Sequence, residues 1–433
     1  MSLGQRIRHL RQSRGLTQSE LGGGQLSKSF ISLLEKDRTR PSLDTLLLIA
    51  RRLGSSVDAL LGQQNHLPEL VCEGLLSLSR DALHGRDFDR AKSLLESASF
   101  VASRYQVDEA ARETLLQSAQ MAMEERRFEE ALRALDQADP ACAREKDLWR
   151  QGRVQLLRGT VKVRQREIPA AIPLLEQALA TLRRARAGRD PSRVEALIML
   201  GTALGYTGNY PGAIRRFEEA VASEVARHDP VLRGRALWGI GLAQRKAGNL
   251  EAAGRYLAEA RDTFESAEEL RDLMRVLQNL GQLLFEQGEP KEALRHLHHA
   301  LRVLDRLGEP ANLASIATEI ARIHLSTGDL EDAEAFTRQA LEGARAAGDP
   351  VEVAEATTLL ARTRVARKDP AGAIKLYKDA LEAFRLRKMA DQTTAVAREL
   401  GLLLRERGAH AQAAAYLAMS LETAGVPAAD AAE

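Results

Sequence analysis

Three histidines fall within four residues, His296, His298 and His299, and a fourth, His324, follows in the next repeat unit. His296 and His299 share one helical face, which is the chain's nearest approach to a metal-ligating pattern. No carboxylate or cysteine completes a ligand spacing, so the histidines are assigned to surface and packing roles and no metal is expected. The segment GTALGYTG at 201–208 has glycines but no preceding strand, so it is not a nucleotide fingerprint. There is no phosphate-loop, zincin or GxSxG string. The chain is therefore expected to be a non-enzyme with no cofactor. Cys72 and Cys142 fall in different helices far apart in sequence, so no disulfide framework or zinc knuckle can be read from them and a reducing compartment is favoured.

The chemistry that remains is binding. The 433 residues carry a net charge of +2, unevenly placed. Residues 1–64 hold ten Lys/Arg against five Asp/Glu, and the rest holds 52 against 55. A basic module on a near-neutral body puts any polyanion contact at the N-terminus. Aromatics are only 4% of residues and Ala, Leu, Arg and Glu are plentiful, a composition that favours helices. No signal peptide and no apolar run of about 18 residues is visible, so a cytoplasmic protein without membrane contact is expected.

The elements that must position the basic residues are short. Leu3, Ile7 and Leu10 recur at helical spacing over 3–14, and Gly15 ends that helix. Thr17-Gln18-Ser19-Glu20 has the form of a capping box, so a second helix starts at Gln18 and stops at Gly22-Gly23-Gly24. Ser27 caps a third, Lys28 to Lys36, with Ile31 and Leu34 inward. Pro41-Ser42 opens a fourth with Leu43, Leu46, Leu47, Ile49, Ala50 and Leu53 as its apolar face, and Val57 to Leu61 makes a fifth.

The string GLTQSELGGGQLSKSFISLLEKDRTRPSLDTLLLIARRLG resembles the lambda-repressor-like (XRE) helix-turn-helix family over residues 3–62. Two departures are a glycine-rich turn about one residue short and Leu33 at a place the family keeps polar. The resemblance implies that the third helix enters the DNA major groove. It puts Lys28, Ser29 and Ser32 at base-reading places, Phe30 among them toward a thymine methyl, and Gln18 on the backbone or a neighbouring base. Ser27 belongs to the same set, and Arg38 and Arg40 follow the helix within reach of phosphates.

From residue 66 a pattern recurs with a period of 40. Its marks are an Ala (Ala91, Ala131, Ala171, Ala213, Ala253, Ala293, Ala333, Ala373, Ala413) and a second small residue seven places on (Ala98 to Ser420). A third small residue lies twelve places before, from Ser79 to Gly401, beside large residues such as Leu200, Ile240, Leu280, Ile320, Leu360 and Leu400 expected in the seam. Gly208, Gly248, Gly288, Gly328 and Gly408 mark tight turns, whereas Arg86, Arg126 and Arg166 hold that place in the first units. Each unit is read as helix, turn, helix, turn. The single step of 42 falls between Ala171 and Ala213.

This pattern resembles the tetratricopeptide repeat family over residues 68–425, with a longer unit than the usual length of about 34. The resemblance implies an all-α chain: a five-helix helix-turn-helix domain followed by a right-handed superhelical solenoid of about nine helix pairs. The expected domains are 1–64, 65–427 and a disordered tail over 428–433. In that family the first helix of each pair lines the concave groove. The carried-over register gives Arg235, Trp238 and Arg245 in unit five, and Arg275, Gln278, Asn279 and Gln282 in unit six. It gives Ser315, Thr318 and Arg322 in unit seven, and Thr358 and Arg362 in unit eight. Amides satisfy a peptide backbone, Arg clamps a carboxylate and Trp offers an apolar floor. The joined architecture resembles the peptide-sensing regulators of the Rgg, PlcR and NprR kind. It implies a quorum-sensing transcription regulator that binds a two-fold double-stranded DNA operator as a homodimer, with a signalling peptide or protein partner in the groove. The alternative is a protein–protein scaffold with no small peptide ligand.

Overall fold

The computed structural model describes residues 2–61, 67–144, 147–185, 190–308 and 312–423. The expected domain junction at 64/65 and the expected tail over 428–433 lie outside the described residues. Among the described residues every regular element is helical. The backbone forms two compact units, Met1–Met199 and Leu200–Glu433.

Unit one opens with five short helices: α1 (Leu3–Ser13), α2 (Gln18–Gly22), α3 (Lys28–Glu35), α4 (Leu43–Arg52) and α5 (Val57–Leu61). Ser2, Thr17, Ser27 and Ser42 cap the first four, each accepting the N–H three residues on. Glu20 closes the capping box at Thr17, as the spacing requires. Ile7, Leu21, Ile31, Leu34, Ile49, Leu53 and Leu60 form the core. Leu47, expected on the apolar face of α4, is 50% exposed. The buried stripe runs through Leu46, Ile49, Ala50 and Leu53, and Leu47 lies about 100° around the helix from Leu46. Gly4 sets the approach of α1 to α3, because a Cβ there would sit 2.3 Å from the Leu34 carbonyl oxygen.

Three antiparallel pairs follow in unit one: α6 (Leu67–His84) with α7 (Phe88–Tyr105), α8 (Asp108–Glu124) with α9 (Phe128–Arg144), and α10 (Leu148–Arg164) with α11 (Ile168–Arg184). The boundary between the two units falls inside α12 (Pro191–Tyr206). Unit two continues with α13 (Tyr210–Val221), a short α14 (Glu224–His228), and α15 (Pro230–Lys246) paired with α16 (Leu250–Ser266). Then come α17 (Leu270–Glu286) with α18 (Pro290–Leu307), α19 (Leu313–Thr327) with α20 (Leu330–Ala347), α21 (Pro350–Ala366) with α22 (Pro370–Leu386), and α23 (Ala390–Glu406) with α24 (His410–Thr423). The second helix of repeat unit four stops at Val221, and Ser223 caps α14, a break the pattern does not announce.

The period of 40 reflects this packing. Ala91 and its eight counterparts are at most 2% exposed, and Ala98 and its counterparts at most 6%. The small residue of the first helix has a specific partner four places after the marked Ala. A Cβ on Gly241 would meet the Leu257 side chain at 2.7 Å, and one on Gly281 would meet Leu297 at 2.6 Å. A leucine is thus seated in the notch that a glycine leaves, and its full burial is worth about 1.5–3 kcal/mol. Of the expected seam residues, Leu200, Ile240, Leu280, Ile320 and Leu400 are buried; Leu360 is half-buried and the adjacent Leu359 takes the inward place. The turn glycines adopt positive φ, 86° at Gly248 for example. Arg86, Arg126, Arg166 and Lys368 take the same left-handed conformation without being glycine, so the turn survives the substitution at a local cost. Both cysteines are buried free thiols whose ionisation is pushed up by that burial.

Candidate functional site

Two groups stand out among the basic residues of the first five helices and their turns. One group holds the domain together. Arg6 donates to the carbonyls of Leu60 (2.6 Å) and Leu61, and Arg14 to that of Gly54 (3.1 Å). Arg52 spans from α4 to the end of α2, donating to the carbonyl oxygens of Leu21 (2.8 Å) and Gly22 and to Gln25 Oε1 (2.7 Å). It satisfies the carbonyls that α2 leaves open at the glycine turn. Arg11 reaches from α1 to Glu35 at the end of α3, at 2.5 and 3.2 Å, and the Gln18 amide donates to the same carboxylate at 2.9 Å. Burial pushes the Glu35 carboxyl up, but the hydrogen bonds from Arg11 and Gln18 outweigh it and hold it below the ordinary range. These three residues fix the pitch of α3 against α1 and α2.

The second group is free. Lys28, Ser29, Arg38 and Arg40 are exposed, and none has an intramolecular side-chain partner among the described residues. Lys28 and Ser29 sit in the first turn of α3 behind the Ser27 cap, and Ser32 lies one turn further, partly exposed. Phe30 is half-buried against the domain core, so only its edge is available to a partner. Leu33 is 43% exposed on the same helix. α3 therefore presents a polar N-terminal end that carries Lys28, with Arg38 and Arg40 after the helix.

The residues expected to line a groove in unit two form a ladder of paired side chains across α15, α17 and α19. Arg235 Nε bonds Asp272 Oδ2 at 2.6 Å, and Arg275 lies 3.6 Å from the same buried carboxylate. Trp238 Nε1 donates to Asn279 Oδ1 at 2.8 Å. Arg245 bonds Gln282 Oε1 (3.1 Å) and Glu286 (2.9 Å), and burial opposes but does not cancel the lowering of the Glu286 carboxyl by Arg245. Gln278 donates to Ser315 Oγ at 2.7 Å, Gln282 to Glu319 at 3.2 Å, and Arg322 to Glu319 at 3.1 Å. Arg362 continues the pattern with Glu399 at 2.7 Å. The partners on different helices lie 37 or 41 residues apart, three residues less or one more than a repeat, so all share the face of stacked first helices. Thr358 does not line that face: it is buried, with its hydroxyl on the Ala354 carbonyl at 2.9 Å.

With this geometry in view, the comparisons with known proteins are informative. Residues 7–60 match a helix-turn-helix family model. Residues 150–223 match a tetratricopeptide repeat model, and residues 227–429 a MalT-like TPR region. The chain is an XRE-type helix-turn-helix domain followed by tetratricopeptide repeats. The helix-turn-helix end is 40% identical over 74 residues to an immunity repressor protein of Bacillus phage phi105, covering 17% of this chain and 51% of the relative. It is 45% identical over 62 residues to the HTH-type transcriptional regulator DdrOP3 of Deinococcus deserti, covering 14% and 48%. The chain thus spans about half the length of the curated relatives it matches. The repeats share a fold with a Rap protein complexed with competence and sporulation factor, at a TM-score of 0.51 and 13% identity over 79% of this chain and 99% of that one.

In this helix-turn-helix domain, the sequence reading missed Arg52 and Glu35. Glu35 stands in the family-like string with nothing to show that Arg11 and Gln18 meet on it, and Arg52 carries no local signal, because its partners lie about 30 residues away. In the repeats it missed the acidic half of the ladder, Asp272, Glu286 and Glu319. Their signal is the recurrence of an acidic residue 37 or 41 places after an Arg or amide, a spacing that acquires meaning only once the repeat stacks.

Proposed function

We propose that this chain is a sequence-specific DNA-binding transcriptional regulator that acts as a cytoplasmic homodimer on a two-fold operator, with residues 1–64 as the DNA-binding domain and 65–427 as the sensing and dimerising body. The observation that carries the reading is the unpartnered polar end of α3, Lys28, Ser29 and Ser32, followed by free Arg38 and Arg40, on a scaffold held together by the internal bonds of Arg6, Arg11, Arg14 and Arg52. Helix-turn-helix domains read the major groove through this end of the recognition helix. The two curated relatives of this end are named a repressor and a transcriptional regulator, which supports the assignment.

The repeats take a peptide or another partner on the first-helix face of units five to seven. The fold neighbour solved with its factor bound supports a ligand-carrying role for such an array. A peptide that engages Asn279, Gln278 or Gln282 exchanges the bonds these amides already make, so its net gain per bond is small, about 0.5–1.5 kcal/mol. The switch then comes from re-pairing the ladder and not from filling an empty cleft. The same completeness favours a second reading, a scaffold that docks a protein and uses the ladder for stiffness. Selection of bound duplexes from a random pool by the full chain, with gel shifts of wild type and a variant lacking residues 1–64, tests the DNA assignment. Full affinity without residues 1–64 overturns it. Adding peptide extracts to the wild-type shift separates the two readings of the repeats, since only the first predicts a response.

A further inference from the structure

The turn between α19 and α20 brings together groups that the sequence leaves eight residues apart. His324 sits in the last turn of α19, Asp329 caps α20, and Asp332 lies one turn into α20. One ligand atom from each lies within 4.8 Å of the others. We propose that His324, Asp329 and Asp332 hold a divalent cation of the zinc class at this turn.

Three observations carry the proposal. First, the bite is nearly set. A tetrahedral ion with ligands at about 2.0–2.2 Å needs donor atoms about 3.4 Å apart, and His324 Nδ1 lies 3.4 Å from Asp329 Oδ2. Asp332 is exposed and closes the remaining distance by side-chain rotation. Second, the histidine is oriented. Its ring is buried and stacks parallel to Phe336, and its backbone carbonyl accepts the Asp329 N–H at 2.9 Å, which ties the two ligands through the turn. Third, the charge is unbalanced. The same i, i+5 place holds Lys162 with Glu167 (2.7 Å) in unit three and Arg364 with Asp369 (3.6 Å) in unit eight, each with a permanent cation, whereas in units one and six Asp87 and Glu289 stand there opposite Ala82 and Leu284. In unit seven the permanent cation is replaced by a histidine and a second carboxylate is added. The Asp332 carboxylate has no ion pair or hydrogen bond among the described residues. Imidazole with carboxylate suits zinc and its first-row neighbours, and water completes the shell. The C-terminus of α19 and the N-terminus of α20 contribute opposite partial charges, so the two carboxylates decide the local sign.

The neighbouring histidines do not make a better site. His296 and His299 share a shallow pocket on α18 with Lys291, Arg295 and Arg302, whose charges oppose a cation. The spacing around His296, His298 and His299 predicts no metal; the fold sets two carboxylates beside the fourth histidine of that group, His324.

The test is titration of Co2+ into metal-free full-length protein, following its visible ligand-field absorption, with Zn2+ as competitor. One ion per chain is expected, displaced by Zn2+. The double variant His324→Gln/Asp329→Asn recreates the neutral Gln244–Asn249 pair that unit five uses at the same place, at 2.9 Å, and so keeps the turn intact. It and Asp332→Asn should each weaken binding by roughly tenfold or more, as the loss of a ligand costs at least as much as the loss of its supporting partner. His296→Ala/His299→Ala should leave binding unchanged. Matching melting temperatures of the metal-free variants exclude a folding effect. Absence of saturable one-to-one binding, retention of it in the His324→Gln/Asp329→Asn protein, or its loss only in His296→Ala/His299→Ala overturns the proposal.

Discussion

Replacing Glu35 with alanine should unfold the helix-turn-helix end while leaving the repeats standing. Its side chain is 3% exposed and that of Arg11 is 11%, so the pair is buried. Removing one partner of a buried pair costs about 3–5 kcal/mol, because the other charge is left uncompensated. Gln18 loses its acceptor in the same step. A small domain at about 0.05–0.15 kcal/mol per residue has only about 3–9 kcal/mol in total, so Glu35→Ala takes most of it. Calorimetry of the full chain reads this directly: the transition of the N-terminal domain moves to low temperature while that of the repeats stays, and DNA affinity falls with the first. Arg11→Met together with Glu35→Leu should recover much of the loss, since a matched apolar pair leaves no buried charge. The pH dependence has a defined sign. The folded carboxyl of Glu35 lies below its ordinary range, so its contribution is complete above the ordinary carboxylate pKa and is lost as pH falls through the depressed folded value. If Glu35→Ala melts within about 1 kcal/mol of wild type and still binds DNA, the network decorates the domain and does not position α3.

The other predictions follow from the same geometry. Lys28→Ala and Ser32→Ala should relax operator preference, whereas Arg40→Ala should weaken all duplexes alike and lower the salt slope by about 1 in gel shifts across a salt series. Asn279→Ala removes the acceptor of the Trp238 indole and should cost about 0.5–1.5 kcal/mol in denaturant unfolding of the repeats. The same variant should blunt a ligand response without changing ligand-free DNA affinity. Lys368→Gly relieves a left-handed residue at φ 63° and should stabilise the array by about 1 kcal/mol, read as a raised denaturant midpoint. Light scattering should give a dimeric mass for the full chain, free and on DNA; a monomer in both states overturns the two-fold operator.

Local pattern alone determined the first five helices and the repeat, though not the break at Val221 that gives α14. Apolar spacing near 3.6, hydroxyls before each early helix and small residues every 40 positions are properties of neighbouring residues, and they hold wherever the chain goes. The starts of the first five helices and the buried alanines were legible for that reason. Burial within a helix was less so: Leu47 and Leu360 are apolar and in register by eye, yet a rotation of about 100° per residue separates them from Leu46 and Leu359. Tertiary structure decided which side chains meet. Whether Arg52 touches DNA or closes α2, whether Asn279 waits for a ligand or holds Trp238, and whether His324 has carboxylates beside it depend on the stagger of stacked helices and the path of a turn. The bonds concerned span about 30 to 41 residues in the first two cases, and in the third a turn that reverses the chain. Such pairings are set by packing summed over the whole array, where each contact is worth only about 1 kcal/mol and has no counterpart in the spacing of the residues that make it.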